Sequence, residues 1–205
     1  MKLYDTPRAP NPRRVRLFMI EKGITDVEIV QVSLLEGAHK QPDYLAKAGL
    51  PNVPMLEMDD GTCITESLAI CRYLESLYPE PNLMGRDPRE TAIIEMWTRR
   101  VEMMVATPLM MAVRHTHPAL AVLEKQNPAV GESNAESGTR ALKLIDRRLA
   151  ESPWIAADRL TIADIVAFAS IDFARMIRFK PPEEMTHLGR WMEAMNARES
   201  VSLAK

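Results

Sequence analysis

The sequence predicts an α/β unit followed by an all-helical unit. Three observations carry this. Residues 2–32 run strand, helix, strand, and a parallel pair with a crossover helix is the expected result. A hairpin and an amphipathic helix follow between Met55 and Tyr78. A stretch dense in Pro, Gly and polar residues, Pro79 to Pro88, then gives way to segments whose apolar residues recur at three and four. The first unit is expected over 1–79 and the second over 88–205.

Lys2 to Asp5 reads as the first strand. Thr6 to Pro12 holds three prolines and cannot be regular structure; Pro12 fits the first turn of a helix, where a missing N–H costs little. That helix carries Val15, Phe18 and Met19 inward and stops at Gly23. Val27 to Val32 is β-branched and reads as a second strand. Ser33 to Asn52 is a connector with a short helix near Asp43 to Lys47. Asp60-Gly61 between two short apolar runs predicts a hairpin, because its turn needs positive φ. The next helix carries Leu68, Cys71, Leu74 and Tyr78 on one stripe.

In the second unit a long helix is expected from Arg89 to about His117, with Ile93, Met96, Trp97, Val101 and Met104 inward and a kink at Pro108. Another helix is expected over 135–150. Thr161 and Asp164 have the spacing of a capping box, with Leu160 and Ile165 as a hydrophobic staple. The helix they start buries Phe168, Ala169, Phe173 and Met176. Pro181-Pro182 breaks the chain before a last helix carrying Leu188, Trp191, Met192 and Met195.

Composition narrows the function. The chain has 205 residues, 46% hydrophobic, with a net charge of −2, which argues against a general nucleic-acid binder. No apolar run reaches membrane-span length, and the N-terminus lacks the apolar stretch of a signal peptide. Cys63 and Cys71 form no CxxC pair, which fits a reducing cytoplasm. His115-Thr116-His117 has no further ligands near it, so no metal is expected. Arg8, Arg13, Arg14 and Arg16 form a basic cluster, mostly a solvated face, of which one or two raise the local potential for an anion.

The chemistry gathers at the two ends of the hairpin. Were the Val53-Pro54 bond cis, the Val53 N–H and C=O would face outward and an extended peptide could add to them as a strand. At the other end Ser67 starts a helix whose first N–H groups suit a carboxylate, and Glu66 beside it can receive an ammonium. A small peptide with a free amino-acid head fits both.

The stretch Val53 to Glu75, VPMLEMDDGTCITESLAICRYLE, resembles the glutathione-binding half of the cytosolic glutathione transferase family, and the likeness extends over nearly the whole chain. It implies a thioredoxin-like N-terminal domain, a helical-bundle C-terminal domain, a cytoplasmic homodimer and a detoxifying transferase. Glutathione would be the co-substrate and an apolar electrophile the second substrate. By the family pattern Val53, Pro54, Glu66 and Ser67 bind glutathione, and Lys40, with His39 as the second choice, reaches its glycine carboxylate. Where relatives carry Tyr, Ser or Cys in the first loop, this chain has Ala9, as in a bacterial and fungal branch. Asn11 is then the candidate beside the sulfur, since its amide can donate to a thiolate; a helix cap is its alternative role. Thr6, the nearest hydroxyl, lies early in the loop. His115 is the second catalytic candidate, holding a water or taking the thiol proton. Met103, Met104, Met110, Met111 and His115 are candidates for the wall of the second-substrate site. Two other functions stay open on sequence: glutathione-dependent disulfide or peroxide reduction, and glutathione binding without catalysis.

Overall fold

The computed structural model describes residues 1–204, which divide into two compact units. The first comprises Met1–Pro81 together with the segment from Leu203. Its elements are β1 (Lys2–Asp5), α1 (Pro10–Glu21), β2 (Glu28–Gln31), a 3-10 turn (Ala38–Lys40), α2 (Pro42–Ala48), β3 (Met55–Glu57), β4 (Cys63–Thr65) and α3 (Ser67–Leu77). The sheet order is β2-β1-β3-β4, with β1 parallel to β2 and the other pairs antiparallel. This is the thioredoxin-like arrangement. Helix α1 begins at Pro10, ahead of Pro12, so both prolines sit where the helix spends no N–H. It ends as expected: Gly23 takes φ +66° just past the Lys22 cap. The hairpin turns through Gly61 at φ +84°, with the Gly61 N–H donating to the Met58 carbonyl.

Val32, Tyr44, Ala48 and Met55 form a core cluster between the sheet and α2, with Tyr4, Ala38, Val53 and Cys63 packed on it. On α3 the buried stripe is Ile70, Cys71 and Leu74, while Leu68 is only half-buried. The basic cluster on α1 is not a solvated face. Only Arg8 is exposed; Arg13 and Arg14 are buried, and Arg16 is half-buried in an ion pair with Asp5. Arg14 reaches the Ser67 hydroxyl, and Arg16 donates to both Asp5 carboxylate oxygens.

The second unit, Asn82–Ser202, is helical. It contains α4 (Pro88–Val101), α5 (Thr107–Thr116), α6 (Pro128–Glu151), α7 (Ile162–Ala174), α8 (Thr186–Asn196) and the start of α9 (Glu199–Leu203). The predicted long helix is interrupted by a π-helical segment at Glu102–Ala106, ahead of Pro108. Pro108 has no N–H to give the carbonyl four residues back, and the wider turn absorbs the mismatch. Of the stripe expected there, Trp97 and Val101 are buried while Met96 and Met104 are exposed. Helix α6 starts a full two turns earlier than 135, at an Asn127 cap whose Oδ1 accepts from Ala129 N–H. Gly131 and Gly138, which weaken helix propensity, are needed for close approach to α5: a Cβ at Gly131 would lie 2.4 Å from Thr116 Cγ2, and one at Gly138 2.8 Å from Leu109 Cδ2.

The capping box at the start of α7 is present, and Asp164 does more than cap. Its carboxylate accepts from Thr161 N–H, Thr161 Oγ1, Ile155 N–H and Trp191 Nε1, each at 2.9 Å, so one buried residue joins α7, the loop before it and α8. Burial nevertheless holds the Asp164 carboxyl above its ordinary range, with these bonds offsetting part of the rise. Arg159 binds the Glu90 carboxylate on α4 and the Asn82 carbonyl and side chain. Among the described residues no helix is long and apolar enough to cross a membrane, and no group of His, Cys, Asp and Glu is placed to hold a metal.

Candidate functional site

The Val53 corner is built by the residues on either side of it. The Val53-Pro54 peptide is cis. The Val53 side chain packs on the core cluster, while its backbone takes part in none of the loop, turn or cap hydrogen bonds among the described residues. Tyr44, from α2, donates its hydroxyl to the Asn52 carbonyl at 2.5 Å and so fixes the approach to Val53. Burial raises the Tyr44 phenol to about 12, which keeps it a donor throughout the working range. Tyr44 was not picked out from sequence; only the fold brings it to this corner.

The start of α3 lies at the far end of the hairpin. Glu66 precedes the helix at φ +69°, a left-handed conformation that a non-glycine side chain adopts at a cost, and such outliers cluster at sites that bind. Its carboxylate is exposed and caps nothing. Ser67 is buried to 5% exposure, and Arg14 Nη1 reaches its Oγ at 3.4 Å. The helix therefore begins with no side-chain cap, a hydroxyl in its first turn and a guanidinium behind it. These three features together make an anion cradle.

The first loop and the start of α1 form a third donor set. Arg8 takes φ +64°, and Ala9 is the N-cap. Pro10 and Pro12 carry no N–H, so the open tip of α1 presents the Asn11 main-chain N–H. Asn11 is half-buried in the first turn and does not cap, since that position belongs to Ala9. Its side chain makes no hydrogen bond among the described residues. The first turn carries no acidic residue to oppose an anion. The nearby hydroxyls are engaged elsewhere. Thr6 Oγ1 donates to the Val32 carbonyl at 2.5 Å. Tyr4 donates to Glu57 at 2.6 Å, and that bond holds the phenol above its ordinary range.

Lys40 is exposed at the end of the 3-10 turn. His39 beside it is 5% exposed, and its Nδ1 has no partner among the described residues. Burial, with Lys40 adding to it, pushes the His39 imidazole below its usual pKa. A buried ring nitrogen left open is the kind of group a ligand satisfies.

In the second unit His115 is buried near the end of α5, and its Nδ1 accepts from the Asn127 N–H at 3.1 Å. The neutral ring then carries its proton on Nε2 and can donate there, not accept. Met103 and Met104 are exposed on the π-helical segment, with Met103 at 69%, while Met110 and Met111 are half-buried on α5. A cleft of about 430 Å³ lies among Thr116, Pro118, Gly131, Ala135, Met176 and Arg178.

Residues 3–82 match the family model for the glutathione S-transferase N-terminal domain, and residues 100–199 that for its C-terminal domain. Glutathione S-transferase 2 of Saccharomyces cerevisiae is 36% identical over 204 residues, covering 98% of this chain and 88% of the relative. Glutathione S-transferase 3 of Zea mays is 33% identical, covering 97% of this chain and 90% of the relative. Among solved structures, Gtt2 of S. cerevisiae superposes with a TM-score of 0.93 at 35% identity over the full length of both chains. A glutathione S-transferase of class Gtt2 from Vibrio parahaemolyticus superposes at 0.86 with 34% identity, covering 100% of this chain and 96% of that one.

Proposed function

Since the chain belongs to the glutathione S-transferase family, whose members are enzymes using glutathione as co-substrate, we propose that it transfers the glutathione thiolate to an electrophilic carbon of an apolar small molecule. The Val53 backbone pairs with the extended tripeptide. Ser67 and the open tip of α3 take the γ-glutamyl carboxylate, and Glu66 takes the adjacent ammonium. Lys40, with His39 behind it, takes the glycine carboxylate.

The observation that carries the reading is the state of Asn11: an unengaged amide at a helix tip cleared of acidic residues, beside an Ala9 that offers nothing. Two Asn11 donors and the positive end of α1 favour the thiolate over the thiol. The thiolate attacks the electrophilic carbon, forming the S–C bond as the leaving group departs. Any part His115 takes is as an Nε2 donor to water, because its other nitrogen is occupied. The Met-rich segment suits varied apolar acceptors. The protein works as a homodimer in the cytoplasm, which sedimentation of the purified protein and fractionation of the cells that make it would check.

The test is ultraviolet titration of bound glutathione together with conjugation of an aryl halide. A lowered thiol pKa and conjugate formation are expected. Binding with an unshifted thiol pKa and no conjugate would end the transferase reading.

A further inference from the structure

Arg16 sits on α1, the helix that follows the first loop, and reaches back to the strand that precedes it. Its Nη1 lies 2.5 and 2.7 Å from the two oxygens of Asp5, the last residue of β1, and 3.4 Å from the Thr6 carbonyl. Asp5 is nearly sealed from solvent, with a side-chain exposure of 2%. Arg16 Nη2 meets the Ala204 carbonyl at 3.4 Å, and Ala204 is fully buried in this same unit. One guanidinium therefore closes the base of the loop from Asp5 to Pro10 and is itself held by the 203–204 segment. Two further bonds fix the start of the loop, Val32 N–H to the Asp5 carbonyl and Thr6 Oγ1 to the Val32 carbonyl.

We propose that Arg16 is the positioning residue of the first loop and that the 203–204 segment is part of the same clamp. This rests on the transferase reading in one respect: with Ala9 inert, the donors to sulfur belong to the tip of α1, and their placement depends on how the loop enters the helix. A fixed frame matters more for such donors than for a flexible side chain, since a displacement of an ångström removes much of their benefit. A planar fork serves this role better than an ammonium, because it meets two carboxylate oxygens and a carbonyl at once. Without Arg16, Asp5 is left as an unpaired buried charge.

The experiment uses the full chain, Arg16→Lys, Arg16→Gln and a chain ending at Ser202. Hydrogen exchange is followed at the amides of Thr6, Arg8, Ala9 and Asn11. Glutathione affinity, the thiol pKa of bound glutathione and kcat against KM are also measured. Arg16→Gln and the shortened chain should exchange these amides about tenfold faster, with Arg16→Lys intermediate. The thiol pKa should rise and kcat fall, while glutathione affinity stays within about threefold because Val53 and Ser67 are untouched. Unchanged loop exchange in both Arg16→Gln and the shortened chain overturns the clamp. Should the wild-type protein itself leave the thiol pKa unshifted, the transferase reading fails, and the exchange data still decide the clamp.

Discussion

At the scale of single residues, the site depends on groups left open by the rest of the fold. Ser67 is the sharpest case: its hydroxyl is buried at an uncapped helix start, with Arg14 Nη1 reaching it at 3.4 Å. Ser67→Ala should weaken glutathione binding by about tenfold or more, the worth of one hydrogen bond to a charged group. Calorimetry would measure this, and an unchanged Kd would remove Ser67 from the site. Asn11 separates charge from donation. Asn11→Ala deletes a donor and should raise the thiol pKa of bound glutathione by about one unit, whereas Asn11→Asp adds a like charge and should raise it further. Equal thiol pKa values in the wild type and both variants would refute the role. His115→Ala should cost about 1 kcal/mol of stability through the lost Asn127 bond, and it should lower turnover more than glutathione affinity. An unchanged turnover leaves the histidine a structural residue only.

At the scale of elements, local chemistry was legible and tertiary fit was not. The Thr161–Asp164 box, the Gly23 stop and the Gly61 turn each depend on residues three or fewer positions apart, and each is where the spacing placed it. The helix start at Ser67 is also where the sequence placed it, whereas the isomer of the Val53-Pro54 bond is visible only in the structure. Tyr44, which supports the Val53 end of the hairpin, carries no local signal; Arg14 was visible only as one of a basic cluster near an anion, not as the partner of Ser67. The early start of α6 was hidden because Gly131, within the missed first turns, weakens helix propensity, although it is what lets α5 approach there. Arg13, Arg14 and Arg16 looked like a wet face because charge alone does not disclose a buried partner. Asp164 shows how far a local motif extends: its carboxylate also meets Trp191 on α8. Asp164→Asn turns an acceptor-only group into one that must donate toward donors. A loss of about 2–4 kcal/mol in urea unfolding is expected, against about 1 kcal/mol for an ordinary cap. A loss no larger than that of the cap would mean the Trp191 and Ile155 bonds contribute nothing.

At the scale of the molecule, two carboxylates of the helical unit push its pH–stability profile in opposite directions. Arg159 donates to Glu90 and holds it down to about 2, below the usual 4.5. A depressed folded value means stability that is present above 4.5 and is lost as pH falls toward 2. Asp164 is raised by burial, so its contribution is present below its ordinary 3.8 and is lost as pH rises through the higher folded value. Falling pH therefore relieves Asp164 before it unpairs Glu90, and the acid limb should steepen only below 4.5. Water reaches the Glu90–Arg159 pair and screens it, so its contribution is about 1 kcal/mol at most. Glu90→Gln removes the titrating group, so the variant should start less stable at neutral pH by that amount and converge on the wild type as both approach pH 2. Chemical denaturation of both proteins between pH 7 and 2 reads this directly. Parallel profiles with a constant gap would show that Glu90 carries no pH-linked stability and that the Arg159 contacts to Asn82 hold that end of the unit.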